Sequence, residues 1–333
     1  MNSYSRVTVG VVGATGYSGV ELIRRLATHP QVDLRAAMGS GASEAKRIAA
    51  LKRIWDAPIE RLDTDRLAAD TDAVFLATPD TLSAEIGPAL AARGTRVFDL
   101  SGAFRLRDRA ERQRWYPHSP DPDVAVTYGL TERYRGELRE GNAPLVACAG
   151  CYPTAAILAV QPLIACSLIQ PGVIVDAKSG VSGAGKTPSE RTHFSEVHGS
   201  MAAYGVFSHR HGAEIQQELG MDVTFVPHLV PLDRGILETI YVRLARGVDA
   251  AALERAYHAA YDNAPFVRLT GSDLPEIKHV AHTNFCDIGW RVDRPGGQAV
   301  IVSCIDNLVK GAAGQAIQNF NVAYGFDETL GLQ

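Results

Sequence analysis

The stretch Arg6–Pro30, RVTVGVVGATGYSGVELIRRLATHP, decides the fold. Its first part, RVTVGVVGA, is a valine-rich apolar run of the kind a parallel sheet buries on both faces. Gly13, Gly16 and Gly19 follow at G-x-x-G-x-x-G spacing. Val20, Leu22, Ile23 and Leu26 then recur at helical spacing, and His29-Pro30 closes the helix. A strand, a glycine turn and a helix in that order open a βαβ unit.

Outward from it the alternation continues. VDLRAAMGS reads as a second strand, and DAVFLATPD and TRVFDLSGA as further strands separated by the helical TLSAEIGPALAARG. This predicts an α/β, Rossmann-type, doubly wound parallel sheet. After about residue 150 the pattern changes. CYPTAAILAVQPLIACSLI looks helical, GVIVDAKSGVSGAG is a strand entering a glycine-rich loop, and VTFVPHLVPLDRGILETIYVRLAR holds longer strands. DAAALERAYHAAYDNAP is a helix, and the chain closes on a strand, a turn and a last helix. Fewer crossover helices point to an α+β second domain with a mixed or antiparallel sheet.

Composition removes other classes. The 333 residues are 46% hydrophobic, enough for two cores, and the net charge of −4 argues against a nucleic-acid partner. The start lacks the pattern of a secretory leader, and no apolar run is long enough to span a membrane. Five cysteines, an odd number in a chain of this length, suit free thiols in a reducing cytoplasm.

The turn GATGYSG can cradle a pyrophosphate: glycines admit close backbone approach, and the helix N-terminus offers N–H donors and partial positive charge. The cofactor-binding candidates are therefore Gly13, Thr15, Gly16, Tyr17, Ser18 and Gly19. An NAD site usually places an acid at the end of the second strand to bind the ribose 2′-OH. Here that end reads AAMGSGASEAKR, with Ser40 and Ser43 as small donors and Lys46 and Arg47 beyond. The absence of an acid at the tip leans towards NADP, against the plainer reading of an ordinary solvated loop.

LVACAGCYPTAAILAV, Leu145–Val160, holds Cys148 and Cys151 in C-x-x-C spacing. Three readings stand. A zinc half-site needs a second ligand pair, and Cys166, Cys286 and Cys304 are scattered, so no metal is expected. A dithiol couple is expected near the first βαβ unit. A single nucleophile fits Cys151, which follows Gly150 and opens a helix with Pro153 in its first turn. The helix dipole there favours a thiolate, and Cys148, ending the apolar APLVAC run, points into packing.

A nucleophilic thiol needs a proton-handling partner. YGVFSHRHGAEI offers His209 and His211, which share one face if the segment is extended. H-x-H also occurs in metal sites, but no nearby Asp, Glu or Cys completes one. His228 and His282 read as structural histidines, Trp115 and Tyr116 as core or domain-interface residues, and Lys310 as an ordinary helix-terminus residue.

Taken together, GATGYSGVEL, DLSGAFRL, GCYPTAA, KSGVSGAG, HRHGAEI, VPHLVPLDRGILETIYV and DNLVKGAAGQAIQNFN resemble the N-acetyl-γ-glutamyl-phosphate reductase family across nearly the whole chain. That NADPH-dependent family of arginine biosynthesis is related more distantly to aspartate-semialdehyde and glyceraldehyde-3-phosphate dehydrogenases. The resemblance implies Cys151 as acyl-accepting nucleophile and His209 as acid–base, with His211 beside it as a substrate or orienting group. It implies Arg105 as a contact for the substrate's anionic groups. Ser182, Gly183 and Gly185 would line the cofactor near the nicotinamide, and Asn307 would hold its nicotinamide end. It implies an NADP-binding domain over 1–148, with the helix 310–333 packed back on it, and a catalytic and oligomerisation domain over 149–309. A small acyl-phosphate substrate, a homo-dimer or homo-tetramer and a cytoplasmic setting complete the expectation.

The chain departs from the family in three places. Ala149 and Cys148 stand where Pro before Gly-Cys is common. Gly212 and Ala213 replace Thr-Pro before Glu214, and His198 stands in a usually more polar run. Two other functions fit the same motifs: a carrier-protein-linked aminoadipate phosphate reductase of lysine biosynthesis, and a non-catalytic NADP-binding regulator.

Overall fold

The structure is a computed structural model that describes residues 6–39 and 47–333. The chain forms two compact units, Met1–Ala149 with Ala312–Gln333, and Gly150–Gly311.

The first unit alternates strand and helix. β1 (Val7–Val12) leads through the glycine turn to α1 (Tyr17–Leu26) and β2 (Val32–Met38). There follow α2 (Thr64–Asp70), β3 (Ala73–Leu76), α3 (Asp80–Ala92), β4 (Arg96–Asp99), α4 (Arg109–Trp115), β5 (Val126–Gly129), α5 (Thr131–Glu140) and β6 (Leu145–Cys148). The six strands pair in parallel in the order β2-β1-β3-β4-β6-β5. The strand order reverses at β1, between β2 and β3, the kind of switch point where such sheets open a crevice beyond their carboxyl ends. The core is apolar: Val12, Met38, Leu67, Val74, Leu76, Leu90, Val97 and Leu145 form one buried cluster.

The second unit opens with α6 (Cys151–Ala165), then β7 (Val173–Gly180), α7 (Phe194–Val197), β8 (Ala202–Ala203), α8 (Arg210–Leu219), β9 (Val223–Val230) and β10 (Ile236–Arg243). It continues with α9 (Ala250–Tyr261), β11 (Val267–Gly271), α10 (Ile277–Val280), β12 (Cys286–Val292) and β13 (Gln298–Ile305). Its seven-stranded sheet, in the order β11-β12-β13-β10-β7-β9-β8, is mixed: β7/β9 and β11/β12 are parallel and the other pairs antiparallel. The helix α6 packs on β10 and β13, beside α8 and α9.

The alanine-rich sequence of α6 lets it lie close to its neighbours, and nearly all of it is buried. Pro162 inside it has no N–H, so the carbonyl of Leu158 loses its helical donor. The Tyr261 hydroxyl of α9 replaces that donor at 2.6 Å, and the Tyr257 hydroxyl donates to the next carbonyl, Ala159, also at 2.6 Å.

The last helix, α11 (Gly314–Ala323), belongs to the first unit, where it packs on α5. The expected helix over 310–333 is therefore shorter than the sequence pattern suggested. A π-turn over Val309–Ala313 precedes it, and the chain beyond Ala323 runs in turns.

Candidate active site

In the first unit the glycine turn is tightly built. Gly13 sits at φ +82, and a Cβ there would collide with the Ala77 carbonyl; a Cβ on Gly19 would collide with the carbonyl of Gly13. These two glycines let α1 start hard against β1 and β3. Gly16 is different. It is the N-cap of α1, its conformation is ordinary, and a Cβ there meets nothing closer than 3.4 Å. No side chain caps α1 and no acid stands in its first turn. The first N–H groups of a helix have no intrahelical partner, so an anion fits here without displacing a carboxylate. Thr15 and Ser18 are half-buried beside this point and Tyr17 is exposed. These residues suit a nucleotide's phosphates. Ser40, Ser43 and Lys46 lie outside the described residues.

Arg105 has a use that the sequence did not suggest. It is only 6% exposed, and its guanidinium donates from Nε to the Cys148 carbonyl at 2.7 Å and from Nη2 to the Leu100 carbonyl at 2.6 Å. Buried carbonyls at the ends of β4 and β6 need donors, and Arg105 supplies them.

The two cysteines differ as expected. All five cysteines are free thiols. Cys148 is buried, contacts the Asn319 amide at 3.6 Å, and burial pushes its thiol up to about 12. Such a thiol is inert at neutral pH. Cys151 is half-buried at the first position of α6, behind the N-cap Gly150. As in α1, no side chain caps this helix and its first turn holds no acid. The Gly150 N–H donates to the buried Glu214 carboxylate of α8 at 2.9 Å, fixing the residue before the thiol.

His209 and His211 come together by another route than strand alternation. His209 is the N-cap of α8 and His211 lies in its first turn. The His211 N–H donates to His209 Nδ1 at 3.1 Å, and the rings stand 4.8 Å apart. With Nδ1 accepting, the ring hydrogen of His209 sits on Nε2. Burial, with the Arg210 charge as a smaller cause, lowers the His209 pKa to about 4. The imidazole is thus neutral at pH 7, a hydrogen-bond donor rather than a stored proton.

Three aromatic rings wall His209: Tyr152, Tyr204 and Phe225, at 5.9, 5.4 and 5.5 Å between centroids. The Tyr152 hydroxyl lies 3.3 Å from that of Tyr204 and donates to the His228 carbonyl at 3.2 Å. Burial raises the pKa of both tyrosines, Tyr204 to about 12, with the neighbouring Cys151 a smaller cause in the same direction for each. Both phenols stay protonated at neutral pH. The sequence reading missed Tyr152, Tyr204 and Glu214. Only Glu214 left a trace in sequence, as the acid that ends HGAE.

The loop after β7 forms a short 3₁₀ turn over Val181–Ala184 and leaves it at Gly185, φ +85. The Asn307 amide donates to the Ser182 hydroxyl at 2.9 Å, and its carbonyl oxygen accepts from the Gly235 N–H at 2.7 Å. Ser182 and Asn307 therefore meet. A Cβ on Gly183 would press on the Ser179 hydroxyl at 2.9 Å. His228 packs at 3.3 Å from Asp176. Among the described residues no cluster of His, Cys, Asp and Glu could hold a metal, and no helix is long and apolar enough to cross a membrane.

A parallel-sheet unit with a glycine phosphate turn, and a mixed-sheet unit opening on a helix-seated cysteine, define the semialdehyde dehydrogenase class. Residues 8–141 match that family's NAD binding domain and residues 151–307 its dimerisation domain. The chain belongs to the N-acetyl-γ-glutamyl-phosphate reductase family. It is 44% identical to the reductase of that name from Shouchella clausii over 338 residues, 98% of each chain. It is also 44% identical to that from Syntrophobacter fumaroxidans, over 98% of this chain and 97% of the relative. Among solved structures, aspartate semialdehyde dehydrogenase II of Vibrio cholerae covers 97% of this chain, and 99% of its own, with TM-score 0.74 at 18% identity. The Candida albicans aspartate semialdehyde dehydrogenase with NADP covers 96%, and 99% of its own chain, with TM-score 0.71 at 16% identity. At these identities the likeness is one of fold.

Proposed function

We propose that this protein reduces N-acetyl-γ-glutamyl phosphate to N-acetylglutamate 5-semialdehyde and phosphate, with NADPH as reductant, in arginine biosynthesis. The observation that carries the reading is Cys151 at the start of α6, with a neutral histidine capping the neighbouring helix. The substrate is the one for which the relatives are named.

The Cys151 thiolate, favoured by the dipole of α6, attacks the acyl carbon. A carbon–sulfur bond forms, the carbon–oxygen bond to phosphate breaks, and phosphate leaves a thioester on Cys151. N–H groups at the start of α6 offer donors to the oxyanion. When bound, NADPH supplies hydride. After reduction of the acyl carbon, the carbon–sulfur bond breaks and Cys151 keeps the electron pair, releasing the aldehyde. His209 donates a hydrogen bond from Nε2 to the reacting oxygen, and His211 orients it. Because His209 is neutral, it stabilises charge on that oxygen in both directions of the reaction.

The turn Gly13–Gly19 holds the pyrophosphate, and Ser182, Gly183, Gly185 and Asn307 serve the nicotinamide end. In this proposal Arg105 acts on the backbone rather than on substrate. The unit Met1–Ala149 with Ala312–Gln333 serves as the NADP-binding domain and Gly150–Gly311 as the catalytic domain, through which the chain assembles as a dimer or tetramer in the cytoplasm.

The reverse assay tests the reading. Given N-acetylglutamate semialdehyde, phosphate and NADP, the protein should form NADPH only when phosphate is present. Failure to reduce either NADP or NAD would sink it.

A further inference from the structure

We propose that Asp306 and Gly311 are positioning residues for the nucleophile: Asp306 fixes the turn after β13, and Gly311 is the seat against which Cys151 rests. This rests on the reading of Cys151 as nucleophile.

The Asp306 side chain is fully buried and gathers four donors. Its Oδ1 accepts from the N–H groups of Leu308 at 2.8 Å and Val309 at 3.1 Å. Its Oδ2 accepts from the His282 N–H at 2.6 Å and from Arg234 Nη1 at 3.4 Å. His282 sits at φ +66, a conformation that costs free energy for a residue other than glycine. The chain thus holds a strained residue where its N–H reaches this carboxylate.

The backbone carbonyl of Asp306 also accepts from the Gly311 N–H, at 2.9 Å. Side chain and carbonyl together close residues 306–311 into the entry of the π-turn, a rare form frequent at functional sites. The turn delivers Gly311 onto the nucleophile. A Cβ on Gly311 would lie 2.8 Å from the Cys151 Cβ and 3.2 Å from its Cα. Only glycine permits that approach. From the other side, Glu214 holds the amide of Gly150. The nucleophile is therefore set by two contacts, one on the residue before it and one on its own Cα–Cβ bond, independently of the cofactor turn.

The test uses full-length Gly311→Ala, Asp306→Asn and the double variant. Three quantities are read: kcat and KM, the pH–rate profile of Cys151 alkylation by iodoacetamide without substrate or cofactor, and NADPH affinity. Gly311→Ala should lower kcat about 100-fold, the scale of a misplacement near 1 Å. It should also displace the alkylation profile while NADPH affinity holds. Asp306→Asn should act in the same direction more weakly, and the double variant should fall short of the product of the two. Unchanged kcat and alkylation in Gly311→Ala overturns the proposal, and so does parallel loss of NADPH binding. If Gly311→Ala does not fold, Asp306→Asn carries the same two readouts, and wild-type values there overturn it. Cys151→Ser run alongside separates the cases: full turnover in that variant refutes the nucleophile reading, whatever the seat does to alkylation.

Discussion

Helix α1 starts behind the glycine N-cap Gly16 and α6 behind the glycine N-cap Gly150, and neither receives a side-chain cap or a first-turn acid. Three other helices are capped by aspartate, Asp63 for α2, Asp108 for α4 and Asp249 for α9, each side chain accepting a helix N–H; α8 is capped by His209, and α3, α5, α7, α10 and α11 receive no side-chain cap. Capping with an acid is the cheap way to satisfy a helix start. What sets α1 and α6 apart is a glycine N-cap with neither device, which leaves their donors and partial positive charge open to another group. The two then differ in where the negative charge comes from. At α6, in the proposed function, the chain brings its own as the Cys151 thiolate; the preceding amide is tied to Glu214. At α1 no side-chain cap and no first-turn acid is present among the described residues, and in the proposed function the charge comes with the nucleotide's phosphates.

The largest effect expected from this contrast is at the thiols. Cys151→Ser should lower kcat by ~10³-fold or more, because it removes the acyl carrier itself. Cys148→Ala should leave kcat within about twofold and cost ~1 kcal/mol of stability, the scale of a small core truncation. Equal loss of activity in both would restore the dithiol reading.

The next effect comes from giving α1 the cap that α2, α4 and α9 have. Gly16 has φ −76 and room for a Cβ, so Gly16→Asp needs no backbone change. Its carboxylate should satisfy the helix start and raise stability by a few tenths of a kcal/mol. The same carboxylate occupies the phosphate position, and NADPH affinity should drop by ~10²-fold or more, about 3 kcal/mol, from lost charge-assisted hydrogen bonds and like-charge repulsion. Calorimetry and NADPH titration read the two signs separately. Unchanged affinity would mean that the α1 terminus is not where the phosphates bind.

What lies beneath the helices also differs. Below α1 the first sheet is apolar, whereas α6 packs on β10, which carries Glu238. That side chain is fully buried and, among the described residues, neither carboxyl oxygen has a hydrogen-bond partner. Burial raises its pKa well above 4.5, with Lys178 opposing weakly. The folded state keeps this proton and the unfolded chain releases it above about pH 4.5. Stability should therefore fall as pH rises from there to the folded pKa, and Glu238→Gln should remove that fall. The advantage of the variant should grow by ~1.4 kcal/mol per pH unit over this window, read as urea midpoints at acidic, neutral and alkaline pH. A constant difference would show that Glu238 is ionised in the fold.

Much of this was legible in the sequence. The order of strand, glycine turn and helix in Arg6–Pro30 encodes the first unit locally, and Gly150-Cys151 followed by Pro153 announces a helix start. Both signals lie within a few residues of one another. What the sequence hid depends on distant partners. The partner of Arg105, the Cys148 carbonyl, lies 43 residues away. Glu214 holds the amide of Gly150 across 64 residues. The histidines were expected on an extended segment, since H-x-H has a strand's period. The cap that joins them instead needs Nδ1 of His209 turned back on the His211 N–H, which periodicity does not report.

The smallest effect is the control that gives the contrast its meaning. The Asp249 carboxylate accepts from the Ala252 N–H at 2.9 Å and serves only α9. Asp249→Ala should cost ~1 kcal/mol of stability, the usual worth of a cap. Neither kcat nor the KM for NADPH should move, because no ligand uses that terminus. Paired with Gly16→Asp, it separates two kinds of helix start by the sign of their response. Losing the aspartate at α9 lowers stability alone, and gaining one at α1 raises stability while removing cofactor affinity. If Asp249→Ala weakened NADPH binding as well, capping by the chain and capping by a ligand would not be separate devices in this fold, and the glycine at position 16 would have to be explained by packing.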